Sequence, residues 1–202
     1  MKFKVIISLF SLLALSGGVY AAGDATAGKA KAAVCSSCHG PNGNSMNPVW
    51  PKLAGQHASY IAKQLADFKA GKTRNDPLMA GQVAALSNQD MADLGAYFAK
   101  QKVSAAGADE SLVQLGEKIF RAGNKATGVS ACMACHGPTG SGNPAASFPS
   151  LQGQHAAYTE KALNDFKSGV RTNDAGKMMR NVTALMTEKE IKAVSSYIQG
   201  LH

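Results

Sequence analysis

Apolar side chains recur along this chain with the spacing of α-helices rather than that of β-strands. Ile61, Leu65 and Phe68 fall at positions i, i+4 and i+7, which places them on one face of a helix. Comparable stripes recur in two later segments: Met91, Leu94 and Phe98, and Ile191, Val194 and Ile198. No segment shows sustained alternation of apolar and polar residues. We therefore expect an all-α fold with loops rich in Gly, Pro and Asn.

Capping signals mark where two of these helices begin. Ser87 with Asp90, and Thr187 with Glu190, have the spacing in which the first side chain accepts a hydrogen bond from the helix backbone. Gly71 follows the first apolar stripe, and glycine commonly ends a helix. These signals predict helices that begin near residues 88 and 188, and one that ends near residue 71.

The chain contains an internal duplication. The segment Gly55–Gly71 matches Gly153–Gly169 at 11 of 17 positions, and a Cys-x-x-Cys-His-Gly-Pro motif precedes each copy. The repeat is about half the chain, which indicates two domains rather than a solenoid. We place these domains at residues 22–105 and 106–202. They are joined near Val103–Glu110, where Ser, Ala, Gly and Asp cluster.

The N-terminal segment has the pattern of a secretory signal peptide. Met1–Lys4 is basic, Val5–Leu15 is largely apolar, and Val19–Ala21 fits a cleavage site. We expect cleavage after Ala21, which removes residues 1–21 and delivers the protein to the periplasm. A membrane anchor is the alternative, but the run is shorter than the roughly 20 apolar residues that a bilayer span needs.

The charge of the chain bears on its partners. The formal net charge is +8, from 21 Lys and Arg against 13 Asp and Glu. A modest positive balance steers docking towards acidic surfaces of other proteins. The basic residues are scattered rather than gathered in one stretch, which argues against nucleic-acid binding.

Two Cys-x-x-Cys-His motifs, Cys35–His39 and Cys132–His136, carry the chemistry of the sequence. This motif attaches c-type haem. Residues i and i+3 share one face of a helical turn, so both sulfurs reach the two vinyl groups of one haem. The histidine then supplies the proximal iron ligand. We predict two covalently attached haem c groups. Their attachment residues are Cys35, Cys38 and His39 for the first, and Cys132, Cys135 and His136 for the second.

Three other uses of four cysteines compete with haem attachment. Two disulfides would suit an exported protein, but they leave the histidine after each cysteine pair unexplained. A thioredoxin-like pair needs a βαβ context. A zinc site would have to join two pairs that lie 97 residues apart in separate repeats. Haem attachment accounts for the cysteines and the histidines together.

Each haem iron also needs a sixth ligand, a Met or a His. Aligning the last helix of each repeat on Tyr97 and Tyr197 places Met79 opposite Met179. Both methionines lie in the loop that follows an Asn-Asp pair and precedes the last helix. We predict that Met79 and Met179 are the axial ligands of the first and second haem.

Other side chains compete for these axial positions. Met178 neighbours the predicted ligand of the second haem, although Leu78 stands at the corresponding place in the first repeat. His57 and His155 also repeat, but each would open a helix, and we expect a polar role near the helix start or the haem edge. Three further methionines are interpreted as core filler or lack a counterpart in the other repeat: Met46, Met91 and Met186.

Two prolines stand at related places after the motif histidines. Pro51 follows His39 by 12 residues, and Pro149 follows His136 by 13. A backbone carbonyl at these positions is placed to accept the imidazole N–H, which fixes the tautomer and ring orientation of a haem ligand. The alternative is an ordinary loop proline.

With these motifs, the sequence resembles the cytochrome c4 family of dihaem c-type cytochromes from the bacterial periplasm. The resemblance rests on the duplicated haem motif, on Pro51–His57 with its copy Pro149–His155, and on Ser195–Gly200 near the end of the chain. It implies two tandem cytochrome c-like domains related by a pseudo-twofold axis. On the matching positions it implies these iron ligands: His39, Met79, His136 and Met179.

The resemblance also implies an electron carrier rather than an enzyme, with redox proteins as partners. A quinol-oxidising complex would be the donor and a terminal oxidase of a respiratory chain the acceptor. With both axial positions filled, no substrate reaches iron. A dihaem peroxidase or a sulfur-compound dehydrogenase is the enzymatic alternative, but it needs an open iron with acid–base groups nearby. A subunit held at the membrane face by a larger oxidase is the third interpretation.

Overall fold

The computed structural model describes residues 22–202, so the predicted signal peptide lies outside the described residues. Within this range the chain forms ten α-helices, and a short 3-10 turn at Ala175–Lys177 precedes the ninth. The helices are α1 (Ala25–Lys31), α2 (Ala33–His39), α3 (Ala58–Ala70), α4 (Pro77–Val83), α5 (Asn88–Ala99), α6 (Glu110–Ala122), α7 (Met133–His136), α8 (Ala156–Ser168), α9 (Met178–Ala184) and α10 (Glu188–Gly200).

The all-α prediction is confirmed. Across residues 22–202 the only strand-like pairings are two isolated bridges, Asn124 with Val129 and Asn143 with Phe148. Each bridge closes a short loop, and neither extends into a sheet. The two halves of the chain repeat one helix order, α1–α5 in the N-terminal domain and α6–α10 in the C-terminal domain.

The capping predictions are also confirmed. Ser87 Oγ accepts from the backbone N–H of Asp90 at 3.1 Å, and the Asp90 carboxylate accepts from the Ser87 N–H at 2.8 Å. Thr187 and Glu190 form the same reciprocal pair at the start of α10. Gly71 ends α3 in the left-handed conformation, with φ 63°. These local signals therefore set the helix bounds.

In each domain the first helix crosses the last at close range. α1 packs against α5, and α6 packs against α10. A Cβ added at Gly28 would lie 2.0 Å from the carbonyl oxygen of Asp93, and one added at Gly116 would lie 2.3 Å from that of Ala193. Any side chain at these positions would collide with backbone, so glycine permits both crossings.

Two separate apolar cores lie beneath these crossings. The predicted stripe residues Leu94 and Phe98 are 1% exposed in the N-terminal core. Ile191 and Val194 are 0% and 1% exposed in the C-terminal core. Partly buried cysteines pack against both cores: Cys35 in the first and Cys132 in the second. One cysteine of each motif therefore faces the interior of its own domain.

The segment between the two domains carries no helix. Residues 100–109 run from the end of α5 to the start of α6. The predicted boundary between residues 105 and 106 falls within this segment and stays a prediction. Asn44 of the N-terminal domain holds the segment in place, because its side chain donates to the Lys102 carbonyl at 3.0 Å and accepts from the Ser104 N–H at 2.8 Å.

Two glutamines make equivalent contacts across the domain interface, each with the backbone of one residue in the opposite domain. The Gln154 side chain accepts from the backbone N–H of Lys52 at 2.8 Å and donates to the Lys52 carbonyl at 2.9 Å. The Gln56 side chain accepts from the N–H of Ser150 at 3.0 Å and donates to its carbonyl at 2.9 Å. Gln56 and Gln154 occupy equivalent repeat positions, so the two contacts follow a pseudo-twofold relation.

A second cluster of polar contacts holds the same interface near the ends of α3 and α8. The side-chain oxygen of Gln64 accepts hydrogen bonds from Arg74, from Arg171 at 3.0 Å and from Asn173 at 2.7 Å. The backbone N–H of Thr172 donates to the Thr73 carbonyl at 2.8 Å. These contacts join side chains and backbone of both domains.

None of the helices in residues 22–202 combines the length and apolar character needed to cross a membrane.

Candidate functional site

Helix α2 presents the first attachment motif. Cys35 and Cys38 lie one turn apart on this helix, which ends at His39. Gly40 follows with φ 79° and turns the chain away from the helix. Both cysteines are half-buried, and neither forms a disulfide. The geometry therefore leaves two thiols on one side of a helical turn with a histidine directly after them.

The shorter helix α7 presents the second motif. Cys132 precedes its first residue, Cys135 and His136 lie within it, and Gly137 follows with φ 76°. Cys135 is exposed and Cys132 is half-buried, and both thiols are free. The two domains therefore repeat one local structure, a helical turn that carries both thiols and ends at a buried histidine.

A backbone carbonyl fixes the orientation of each motif histidine. His39 is 7% exposed, and its Nδ1 lies 2.8 Å from the carbonyl oxygen of Pro51. His136 is 6% exposed, and its Nδ1 lies 2.9 Å from the carbonyl oxygen of Pro149. A carbonyl only accepts, so Nδ1 carries the proton and Nε2 keeps its lone pair for a metal. The prediction of a carbonyl partner at both prolines is confirmed.

Burial tunes the ionisable groups of both motifs. It lowers the pKa of His39 and His136, which the prolyl carbonyls partly offset. It raises the pKa of the Cys35 thiol, and that of Cys132 to about 11. Burial therefore favours the neutral form of both imidazoles and of these two thiols. Neutral imidazoles with free Nε2 atoms and paired thiols fit a covalently attached haem.

No conventional protein metal cluster competes with this interpretation in the described part of the chain. No three His, Cys, Asp or Glu side chains of residues 22–202 converge on one point. The cysteine pairs stay in their own domains, where Cys132 and Cys35 pack against separate cores. The two cysteine pairs therefore do not come together to form a shared zinc site.

Met79 lies in the first turn of α4. Pro77 opens this helix, and the Asp76 carboxylate caps it by accepting from the N–H groups of Leu78 at 3.0 Å and Met79 at 3.1 Å. Met79 is half-buried, whereas the neighbouring Leu78 is 53% exposed. The cap fixes the backbone that carries the predicted ligand, and the assignment of Met79 to iron stays a prediction.

Met179 lies at the equivalent place in α9, but the backbone that leads into this helix differs from that before α4. The 3-10 turn before it contains two left-handed residues, Gly176 with φ 58° and Lys177 with φ 60°. Met179 is half-buried and Met178 is 42% exposed. This repeats the pattern of Leu78 and Met79. Met178 therefore matches the exposed position of the first repeat, and Met179 stays the predicted ligand.

Met91, Met186 and Met46 do not share this placement. Met91 and Met186 are 2% and 3% exposed and lie within the two domains, where Met186 belongs to the C-terminal core. Met46 is 92% exposed on a loop of the N-terminal domain. The first two serve as core filler, as the sequence pattern indicates.

An ion pair next to Met179 was not anticipated from the sequence. Arg180 donates to the Asp174 carboxylate from its guanidinium at 2.8 Å and from its backbone N–H at 3.0 Å. In the first repeat Ala80 stands at this position, and Asp76 caps the helix instead. The repeated Asn-Asp pair is the sequence signal that could have drawn attention to both aspartates.

The repeated histidines differ in their contacts. His155 Nε2 lies 2.9 Å from the Ser45 carbonyl oxygen and 3.0 Å from its hydroxyl, across the domain interface. His57 Nε2 is buried and has no hydrogen-bond partner among the described residues. Both histidines directly precede helices, α3 and α8. The expected polar role near a helix start therefore holds for His155.

Two small helical domains, each with a Cys-x-x-Cys-His turn whose histidine is held by a carbonyl, define a c-type cytochrome with two attachment sites. The Cytochrome c family model matches residues 25–102 and 113–202. Cytochrome c4 of Pseudomonas aeruginosa is 52% identical over 200 residues, which cover 98% of this chain and 99% of that protein. The chain belongs to the cytochrome c4 family.

Structural similarity agrees with this assignment. A crystal structure of reduced recombinant cytochrome c4 from Pseudomonas stutzeri superposes with a TM-score of 0.87 at 52% identity, covering 90% of this chain and all of that one. A more distant relative is a thiosulfate dehydrogenase electron acceptor of Stutzerimonas stutzeri, 35% identical over 84% of this chain and 80% of that protein. The chain is thus a dihaem electron-transfer protein with covalently bound haem c, and its partners are redox proteins.

Proposed function

We propose that this cytochrome carries electrons one at a time in the periplasm, from a quinol-oxidising complex to a terminal oxidase of a respiratory chain. The observation that carries the proposal is the matched pair of histidine–carbonyl hydrogen bonds, 2.8 Å at His39 and 2.9 Å at His136. Both sites hold a neutral imidazole in the same orientation with Nε2 free to ligate iron, which supports two equivalent haem centres.

The proposed ligand sets follow the two repeats. The domains are residues 22–105 and 106–202. The first haem is held by Cys35, Cys38, His39 and Met79, and the second by Cys132, Cys135, His136 and Met179. When bound, each haem supplies one-electron cycling between Fe(III) and Fe(II). A thioether and an imidazole at the axial positions leave no place for a substrate, which supports a carrier rather than an enzyme.

Exposed apolar side chains adjoin the proposed ligands in both domains. Val34 precedes Cys35 and is 55% exposed, Leu78 precedes Met79, and Met178 precedes Met179. Such side chains beside the attachment and axial positions suit brief docking through small interfaces. The positive net charge adds attraction to acidic partners. Peripheral membrane association would then occur through such partners.

A second donor is favoured by one relative. The thiosulfate dehydrogenase electron acceptor shares both domains with this chain at 35% identity. Acceptance of electrons from a thiosulfate-oxidising enzyme is therefore the alternative upstream role. Rates of reduction by that enzyme and by a quinol-oxidising complex, measured side by side on one preparation, separate the two donors.

Absorption spectra of the ferrous protein before and after carbon monoxide test the ligand sets. A protein with two six-coordinate haems ignores the gas, whereas Met79→Ala and Met179→Ala each bind about one equivalent, because each opens one iron. Met178→Ala and Met46→Ala are the matched controls and leave both haems closed. Binding by the parent protein, or by Met178→Ala in place of Met179→Ala, would overturn the assignment.

A further inference from the structure

One peptide group links the first motif histidine to the opposite domain. The carbonyl of the Pro51–Lys52 peptide accepts from His39 Nδ1 at 2.8 Å. The N–H of the same peptide donates to the side-chain oxygen of Gln154 at 2.8 Å. His39 and Gln154 therefore bind the two ends of a single amide, one from each domain. Lys52 is 5% exposed, so this link is shielded from water.

The second motif histidine is linked in the same way. The carbonyl of the Pro149–Ser150 peptide accepts from His136 Nδ1 at 2.9 Å. Its N–H donates to the side-chain oxygen of Gln56 at 3.0 Å. Each glutamine also donates back to the carbonyl of the same residue, Lys52 or Ser150, at 2.9 Å. Each glutamine amide thus both accepts from the N–H and donates to the carbonyl of one residue, as a paired β-strand residue does. These two hydrogen bonds hold the amide in one orientation.

We propose that Gln154 and Gln56 are positioning residues that set the electron donation of the opposite domain's proximal histidine. Gln154 acts on His39 and the first haem, and Gln56 acts on His136 and the second. This proposal deepens the function given above and rests on both histidines being iron ligands. It assigns the two glutamines a crossed effect, in which a change in one domain alters the haem of the other.

The physical basis is the polarisation of an amide that is hydrogen-bonded at both ends. When its N–H donates to a glutamine oxygen, electron density shifts towards its carbonyl, which becomes a stronger acceptor. A stronger acceptor draws on the imidazole Nδ1–H and makes Nε2 more basic. A more basic imidazole favours Fe(III) over Fe(II). Loss of the glutamine therefore weakens the histidine–carbonyl bond and raises the reduction potential of the opposite haem.

The substitutions Gln154→Met and Gln56→Met test the crossed effect in the full-length holoprotein. Methionine keeps the length of the side chain and removes both hydrogen bonds. Tyr158→Phe is the control, because it removes an interdomain contact with Arg74 that involves neither prolyl peptide. Two readouts are taken for each protein: the Nδ1–H resonances of His39 and His136 in the ferrous state, and the reduction potential of each haem.

We expect Gln154→Met to shift the His39 Nδ1–H resonance upfield and to raise the potential of the first haem, leaving His136 and the second haem unchanged. Gln56→Met gives the mirror-image result, and Tyr158→Phe moves neither resonance. Equal shifts at both haems in either glutamine variant would assign these residues to interface stability alone and overturn the proposal. A shift confined to the haem of the substituted domain, or no shift, would overturn it as well.

The parent protein separates a failure of this inference from a failure of the ligand assignment. Iron ligation places the His39, His136, Met79 and Met179 side chains against a haem, so their ferrous proton resonances carry large ring-current shifts. Absence of these shifts in the parent would refute the ligation itself before any variant is compared. Their presence, followed by uncrossed or absent responses in the variants, refutes only the role of the glutamines.

Discussion

The Arg74 guanidinium donates a hydrogen bond to the Tyr158 hydroxyl at 2.8 Å, from the N-terminal domain into the C-terminal one. Arg171 makes the reverse contact with Tyr60 at 2.9 Å. Tyr60 and Tyr158 are repeat equivalents, so the pair is reciprocal like the glutamine contacts. Two pairs of reciprocal contacts therefore hold the interface, one of arginine with tyrosine and one of glutamine with backbone. In each pair, both domains contribute the same type of side chain.

The two arginines occupy different positions in their repeats. Aligning Asn75–Asp76 with Asn173–Asp174 places Arg74 opposite Thr172, one residue away from Arg171. Both guanidinium groups nevertheless lie over equivalent rings of their own domains, at 4.2 Å from the Phe68 centroid and 4.4 Å from the Phe166 centroid. The long arginine side chain compensates for the shift of one residue, so the two arginine–tyrosine contacts stay symmetric although the sequence does not.

Tyr158→Phe is expected to weaken the native structure. The substitution leaves a half-buried Arg74 N–H without its acceptor at the interface, which costs about 1 kcal/mol, the lower end for an unsatisfied donor. Urea unfolding followed by Soret absorbance measures the loss. A double-mutant cycle with Arg74→Met isolates the contact, because the two effects are then not additive. Simple addition of the two single effects would show that the hydroxyl and the guanidinium contribute independently.

The sequence predicted those features that depend on residues close together in the chain. The caps at Ser87 and Thr187 and the stop at Gly71 need only a few neighbouring residues, and the structure contains all three. The carbonyls of Pro51 and Pro149 were predicted from their similar distances to the motif histidines in the two repeats. Helix type and the local geometry of both attachment motifs were accessible for this reason.

The contacts of the domain interface could not be predicted from the sequence, because they depend on which surfaces of the two domains meet. Gln56 and Gln154 are recognisable in the sequence as repeat equivalents. Their identity does not reveal that each binds the prolyl peptide of the opposite domain. His57 and His155 are identical in sequence and differ in structure, since only His155 meets a serine, Ser45. Such differences arise from side chains far apart in the chain, which a repeat pattern does not report.

Gly28→Ala and Gly116→Ala are expected to destabilise their own domains. The new Cβ would lie 2.0 Å from the Asp93 carbonyl oxygen in the first variant and 2.3 Å from the Ala193 carbonyl oxygen in the second. The helices must then move apart, and overpacking of this kind costs about 1–3 kcal/mol. Thermal unfolding measures the loss in each variant.

Gly107→Ala is the matched control for these glycine substitutions. A Cβ at this linker residue meets nothing within 4 Å, so its melting temperature should stay at that of the parent. If all three variants melted alike, the close crossings of α1 with α5 and α6 with α10 would not limit the packing of the domains.

His155 is expected to make stability depend on pH. Burial lowers its pKa, the Ser45 carbonyl partly offsets this, and the Lys52 charge lowers it further. Between the ordinary histidine pKa of about 6.5 and the lower native pKa, the unfolded state binds more protons, so stability falls as pH falls. His155→Gln keeps an N–H donor without a titrating ring and removes this part of the slope.

Unfolding free energies of the parent and His155→Gln, compared from neutral to mildly acidic pH, measure the contribution of His155. The variant keeps every other ionisable group of the parent, so the difference between the two curves isolates this side chain. The difference should grow as pH falls, to the advantage of the variant. Parallel curves would show that protonation of His155 is tolerated at the interface.

The Asp174–Arg180 ion pair is expected to protect the second haem site against acid. Burial raises the pKa of Asp174, but the hydrogen bonds and charge of Arg180 outweigh it, and the pKa lies below its ordinary value. A carboxyl with a lowered native pKa stabilises the fold above its ordinary pKa, and this stability is lost as pH falls through the native pKa. Arg180→Met removes the compensating charge from a carboxylate that is 4% exposed.

The acid transition of the ferric protein, followed by the far-red band of methionine-ligated haem, measures this effect. Arg180→Met should lose the contribution of the second haem at higher pH than the parent, because its Asp174 takes up a proton earlier and loosens the turn before Met179. Arg121→Met is the matched control, since Arg121 pairs with Glu117 at 2.9 Å but both side chains are nearly half exposed, at 45% and 49%. Exposed pairs contribute little, so its transition should follow the parent. Coincident transitions in all three proteins would mean that the 3-10 turn holds Met179 without the ion pair.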